Sequence, residues 1–92
     1  MGQYKLVLIA VLTWALTQHQ IYTSPDGRVI NQNTINRGLS STQSGCVSMA
    51  RSWAETFSRG KHPVELIPDG FMVRRPIAIG TETIILRCQQ TK

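Results

Sequence analysis

Acidic residues are scarce in this chain of 92 residues, where five Asp and Glu stand against ten Lys and Arg for a formal net charge of +5. Charged residues make up 16% of the chain, below the roughly 25% of an average soluble protein. The chain is also too short for a doubly wound dinucleotide-binding sheet, a (β/α)₈ barrel or a chymotrypsin-like protease. It therefore has room for one small domain.

Long hydrophobic runs are also absent. The apolar run from Leu6 to Leu12 has seven residues, whereas a membrane-spanning helix needs about 20. The run follows a short start that carries one positive charge, Lys5, and it is followed by small residues. This arrangement is typical of a secretory signal peptide. We predict a signal peptide over residues 1–17, cleaved after Ala15 or Thr17, and a single small domain over residues 18–92 with no stable membrane span.

Two other interpretations of the first segment remain open. Residues 4–13 are rich in aliphatic and β-branched side chains and would suit a core strand of a sheet. The segment could also be retained as a membrane anchor. The initiator Met, the lone Lys5 and the change to polar residues at Gln18 favour the signal peptide.

Cysteine is limited to Cys46 and Cys88. With two scattered His they match no metal-ligand spacing, so we predict neither a metal site nor a cofactor. Cys46 falls on the apolar face of an amphipathic helix predicted over 44–60, and Cys88 shares a strand face with Ile84 and Leu86. In an oxidising compartment this favours a Cys46–Cys88 disulfide, which a domain this small needs for stability.

The remaining pattern is one of short strands and turns. Pro-Asp-Gly at 25–27 and again at 68–70 predicts two hairpins. The polar stretch 31–43 is predicted to be a loop, and Pro76 should end the fourth strand or mark an edge. The order β-β-α-β-β-β predicts an α+β fold, with one amphipathic helix packed on a small antiparallel sheet.

Arginine supplies seven of the ten cations, and its guanidinium binds carboxylates and phosphates in a bidentate manner. We predict a candidate binding patch of Arg74, Arg75 and Arg87, in which Arg74 and Arg87 meet if their strands pair. A solvated basic surface that keeps the protein soluble is the plainer interpretation. Nucleic acid is not expected as a partner, because exposed aromatic residues and recognition motifs are lacking.

No catalytic constellation is recognisable, so the sequence predicts a non-enzymatic binding protein, periplasmic or secreted. Its partner would be an envelope or secreted protein, or an anionic envelope component. One alternative is a cytosolic basic nucleic-acid-binding module with residues 4–13 as a core strand. Another is a hydrolase that uses Cys46 near a helix N-terminus, with His19 or His62 as the base.

Overall fold

The computed structural model describes residues 13–91. The elements are β1 Trp14–Thr23, β2 Val29–Ser40, α1 Gln43–Ser58, β3 Val64–Ile67, β4 Gly70–Ile77 and β5 Gly80–Gln90. The five strands form one antiparallel sheet in the order β2-β1-β5-β4-β3. Helix α1 packs on one face of this sheet. The predicted α+β fold and its order of elements are confirmed.

The core lies between α1 and the middle strands of the sheet. Small side chains on α1, such as Ala50 and Ala54, allow the helix to approach the sheet closely. Large aliphatic side chains from β1, β4 and β5 fill the space beneath it. The buried apolar residues are Leu16, Cys46, Ala50, Ala54, Phe71, Val73, Ile84, Leu86 and Cys88. The opposite face of the sheet, here called the uncovered face, has no such layer within residues 13–91.

The ends of α1 follow from local chemistry. Thr42 is the N-cap, and its Oγ1 accepts a hydrogen bond of 3.0 Å from the Gly45 N–H. The helix ends at Ser58, and Arg59 takes the left-handed conformation with φ 52°. The sequence placed the left-handed cap at Gly60, which is also left-handed with φ 69°. The helix therefore ends two residues before the predicted limit.

The predicted loop over 31–43 is wrong, because most of it belongs to β2. This strand pairs with β1 along its whole length and forms the edge of the sheet. Most of β2 is exposed, and only its last part contacts α1, where Arg37 lies over Trp53. Its side chains are therefore mostly polar and do not alternate with apolar ones, which is why the segment resembles a loop in sequence.

The two Pro-Asp-Gly turns differ in their geometry. In the first turn Gly27 takes φ 89°, as that sequence predicts. In the second, Asp69 takes the positive φ of 65°, and Gly70 is the first residue of β4. A Cβ atom at Gly70 would lie 1.7 Å from the Leu86 carbonyl oxygen. The second glycine is thus required for close packing of β4 on β5.

The predicted signal peptide lies mostly outside the described residues, as does the alternative core strand over 4–13. Both predicted cleavage sites, after Ala15 and after Thr17, fall within β1. Leu16 between them is fully buried. The Thr91 N–H also donates a hydrogen bond of 2.8 Å to the Thr13 carbonyl. Across residues 13–91, no helix is long and apolar enough to cross a membrane.

Candidate functional site: the edge strand and the uncovered face of the sheet

The Cys46–Cys88 disulfide is present, as predicted, and it joins the first turn of α1 to the last part of β5. Both cysteines are buried, with exposed fractions of 0% and 2%. Sulfur atoms in a disulfide carry no thiolate, so Cys46 offers no nucleophile in this state. Between residues 13 and 91, no three His, Cys, Asp or Glu side chains are grouped so that they could hold a metal ion.

The three arginines of the predicted patch lie on different faces of the sheet. Arg74 pairs in register with Thr83, and Gly70 pairs with Arg87, which places Arg74 and Arg87 on the uncovered face. Four residues of strand separate them, or about 13 Å. Arg75 lies on the helix-covered face instead. The structure therefore brings two of the three, Arg74 and Arg87, to one surface.

Arg75 has a structural role between sheet and helix. Its Nη2 lies 2.5 Å from Oε1 of Glu82, whose side chain is only 6% exposed. The Gln20 side-chain amide donates a hydrogen bond of 2.9 Å to the same carboxylate. Arg75 Nη1 donates one of 3.3 Å to the Phe57 carbonyl near the end of α1. Burial and the nearby Glu82 carboxylate raise the pKa of the Tyr22 phenol above its ordinary value. This polar cluster ties α1 to β4 and β5.

Other arginines are also engaged within the chain. Arg37 donates 2.7 Å to the buried Gln18 side chain, and its guanidinium lies 4.1 Å from the centre of the Trp53 ring. Arg51 lies 5.4 Å from the centre of the Phe71 ring. Such cation–π contacts stabilise the fold without any external anion. Much of the arginine content that suggested anionic partners is therefore explained by internal contacts.

The uncovered face carries both apolar and polar side chains. None of the side chains that β1 and β5 present on this face is buried. Ile21, Ile85 and Met72 lie near its centre, with Thr, Gln and His19 side chains around them. The residues that β1 and β5 contribute are Ala15, Thr17, His19, Ile21, Thr23, Thr81, Thr83, Ile85, Arg87 and Gln89. Within residues 13–91, no Phe, Tyr or Trp side chain lies on this face, so bases of a single-stranded nucleic acid have no large stacking platform there.

Strand β2 at the sheet edge carries an unusual stretch. From Val29 to Asn36 it has no charged residue. Register shifts occur near both ends of its pairing with β1, opposite Leu16/Thr17 and Tyr22/Thr23, and the pairing is regular over 31–36. Natural edge strands usually carry charges, Pro or bulges that prevent pairing with another strand. Here bulges bound the stretch, but its centre has no such protection.

Two side-chain hydrogen bonds show which way the β2 amides point. The Gln32 N–H donates 2.8 Å to the Asn31 side chain, and the Gly38 N–H donates 3.1 Å to the Asn36 side chain. Because the Gln32 amide is not directed at β1 and strand amides alternate in direction, the Thr34 N–H points to the open edge as well. The backbone around Thr34 is therefore presented to any strand that approaches β2.

A depression of about 490 Å³ lies where β2 begins. Pro25, Val29 and Ile30 supply its apolar part, and Val29 and Ile30 are each about half exposed. Asp26 and Arg28 form a 3.3 Å ion pair at the same turn. Hydrogen bonds from the Ser24 hydroxyl and the Arg28 amide hold the pKa of the Asp26 carboxyl below its ordinary value. The depression thus combines an apolar floor with a charged rim.

This site was not predicted, because only the first residues of β2 were expected to form a strand and the stretch 31–43 was expected to be a loop. The available signal was the uncharged run from Val29 to Asn36, directly after a turn that is specific for hairpins. Comparison of the chain with protein-family models, with curated proteins and with solved structures finds no match in any of the three. The geometry of the site therefore carries the functional interpretation.

Proposed function

We propose that this chain is a non-enzymatic binding protein that pairs an extended segment of another protein with the open edge of β2. The main support is the uncharged edge over Val29–Asn36. This edge presents backbone groups to solvent and has an apolar depression at its end. Addition of a strand to an exposed sheet edge is a recurring mode of peptide recognition. The partner segment would become a sixth strand of the sheet.

The two parts of the site would divide affinity and selectivity. Backbone hydrogen bonds along 31–36 span about 20 Å of strand and accept any sequence that can extend. The depression beside Val29 and Ile30 would take one apolar side chain of the partner, which restricts the sequence. Leu39, 62% exposed near the other end of β2, offers a second apolar contact. We therefore expect a partner segment with aliphatic or aromatic residues near its ends.

The partner is an envelope or secreted protein in this proposal, and the protein itself is periplasmic or secreted. The disulfide supports an oxidising compartment. The apolar run Leu6–Leu12 after Lys5 supports export. Since Leu16 belongs to the core, a mature chain that keeps β1 intact would be processed before Trp14.

Intact mass of the protein recovered from whole cells after expression tests this compartment. We expect a mass two hydrogens below that of the dithiol form and an N-terminus at or before Trp14. A full-length chain with two free thiols would contradict export. A start after Thr17 would contradict the role of Leu16 in the core of the mature protein.

Proline at position 34 tests the binding mode. Thr34→Pro removes an N–H that points to the open edge, a position where a sheet tolerates proline. Thr34→Val is the matched control, because it keeps the backbone donor and the β-branched shape. For a partner first captured by a photo-cross-linker at Ile30, we expect T34P to raise the Kd about tenfold or more and T34V to change it less than about threefold.

The cross-linking step only supplies the partner. The proposal is tested by the difference in Kd between T34P and T34V. Equal Kd values for T34P and T34V would show that the partner does not pair with β2. Sedimentation of the purified protein alone checks the other possible occupant, a second copy of the chain. A dimer that T34P dissociates would replace the proposed partner with self-association and overturn this proposal.

A further inference from the structure

A second cleft, of about 340 Å³, lies beside the C-terminal end of α1. The connection from α1 to β3 lines one wall, and β4 and β5 line the other. Its lining residues are Arg59, Lys61, His62, Arg75, Pro76, Ile77 and Glu82. It shares no lining residue with the depression beside β2. An inference from this cleft is therefore independent of the proposed strand addition.

Positive charge dominates the cleft. Three of its residues are Arg or Lys, His62 adds an imidazole, and Glu82 is the only acid in the lining. The Glu82 carboxylate is already bound by Arg75 and Gln20. Among residues 13–91, neither Arg59 nor Lys61 takes part in an ion pair with an acidic side chain. Their charges remain available to a ligand.

The backbone that carries these cations is held in place. Arg59 donates its N–H to the Glu55 carbonyl, and the N–H groups of Lys61 and His62 both donate to the Ser58 carbonyl at 2.9 and 3.1 Å. The Ser58 hydroxyl donates to the His62 carbonyl. These bonds hold the turn, so the backbone that carries Arg59 and Lys61 needs no rearrangement when a ligand binds.

The same hydrogen bonds reduce the repulsion that the C-terminus of α1 would exert on an anion. Carbonyl groups at a helix C-terminus carry partial negative charge. Here the carbonyls of Glu55 and Ser58 accept backbone hydrogen bonds, and that of Phe57 accepts one from Arg75. Three of the last carbonyl groups of α1 therefore already accept hydrogen bonds, which reduces their partial negative charge near the cleft.

Arg59 also occupies a conformation that glycine adopts more easily. With φ 52° it is left-handed, and the next residue, Gly60, is left-handed too. Glycine at the first of these positions would end the helix with less strain. An arginine kept there at a cost in backbone energy is a pattern found at functional sites.

We infer that this cleft binds a tetrahedral oxyanion, a phosphate or sulfate group that forms part of a larger ligand. Arg59 and Lys61 donate to the oxyanion directly, since guanidinium and ammonium groups form charge-assisted hydrogen bonds with such oxygens. His62 adds a further donor. The cleft volume exceeds that of the anion alone, and Pro76 and Ile77 face the part of the ligand that carries it.

Titration of the disulfide-bonded protein with inorganic phosphate, followed by backbone amide NMR, tests the site. We expect saturable shifts at the amides of residues 59–62, 75 and 77, and similar shifts with inorganic sulfate. Arg59→Gly removes the donor and relieves the left-handed backbone, so it preserves the fold. It should raise the Kd for phosphate about tenfold. Arg87→Gln, which lowers the net charge by the same amount on the uncovered face, should change the Kd less than about twofold.

Equal Kd values for wild type and R59G would overturn the inference. Equal weakening by R59G and R87Q would also overturn it, because phosphate would then respond to the net charge of the protein and not to this cleft. Vesicles of neutral lipid with and without an anionic phospholipid distinguish the source of the group. Retention on the anionic vesicles only, lost in R59G, identifies a lipid headgroup. Binding of phosphate without retention on either vesicle identifies a soluble ligand.

Discussion

Removal of the disulfide in a Cys46→Ala/Cys88→Ala variant lowers the free energy of unfolding by about 4 kcal/mol. The bond closes a loop with a sequence separation of 42 residues, and the chain-entropy relation gives about 4 kcal/mol for that length. A domain of this size has a total stability of roughly 5–10 kcal/mol. We therefore expect a large part of this stability to be lost, because the unfolded chain regains the freedom that the bond removes.

Chemical denaturation with and without reductant measures this effect. The wild-type midpoint should fall when dithiothreitol is present during the titration. The double variant should show a low midpoint in both conditions, because no disulfide remains to be reduced. An unchanged wild-type midpoint under reduction, verified by mass, would contradict the stabilising role of the bond.

Replacement of Arg75 by Ala lowers the free energy of unfolding by about 3–5 kcal/mol, because it leaves the Glu82 carboxylate buried without its cation. The Glu82 side chain is 6% exposed, and Arg75 also binds the end of α1 through the Phe57 carbonyl. The double variant Arg75→Met/Glu82→Met should recover much of this loss, since it removes both buried charges together. A double-mutant cycle by urea denaturation measures the coupling.

Arg74 provides the matched control, because it precedes Arg75 in the same strand. It pairs with Glu65 at 3.5 Å in an exposed position, with side-chain exposures of 58% and 41%. Exposed pairs of this kind contribute about 1 kcal/mol or less, so Arg74→Ala should have a small effect. A larger loss for Arg74→Ala than for Arg75→Ala would mean that the faces of β4 are assigned the wrong way round.

The helix and the disulfide could be predicted because each follows from local periodicity. Apolar residues recur at helical spacing on α1, and Cys46 falls among them. On β5, alternation places Cys88 with Ile84 and Leu86, which face α1. Because both cysteines face the same small core, they are expected to lie close enough to form a disulfide.

The full length of the edge strand and the role of Arg75 were not predicted, because both depend on contacts between distant parts of the chain. The strand character of β2 comes from pairing with β1, while its polar side chains alone indicate a loop. Arg75 finds its partner Glu82 only through the β4–β5 register. From composition alone, an internal arginine and a ligand-binding arginine are indistinguishable.

Hydrogen exchange of the β2 amides, measured with and without the captured partner, tests the central proposal most directly. We predict that the Thr34 amide, and the other amides of 31–36 that point to the open edge, exchange more slowly in the complex, because the partner strand pairs with this edge, whereas the alternate amides already pair with β1. Amides on the exposed side of α1 should be unchanged. Protection elsewhere on the surface, with the Thr34 amide unaffected, would contradict strand addition at β2.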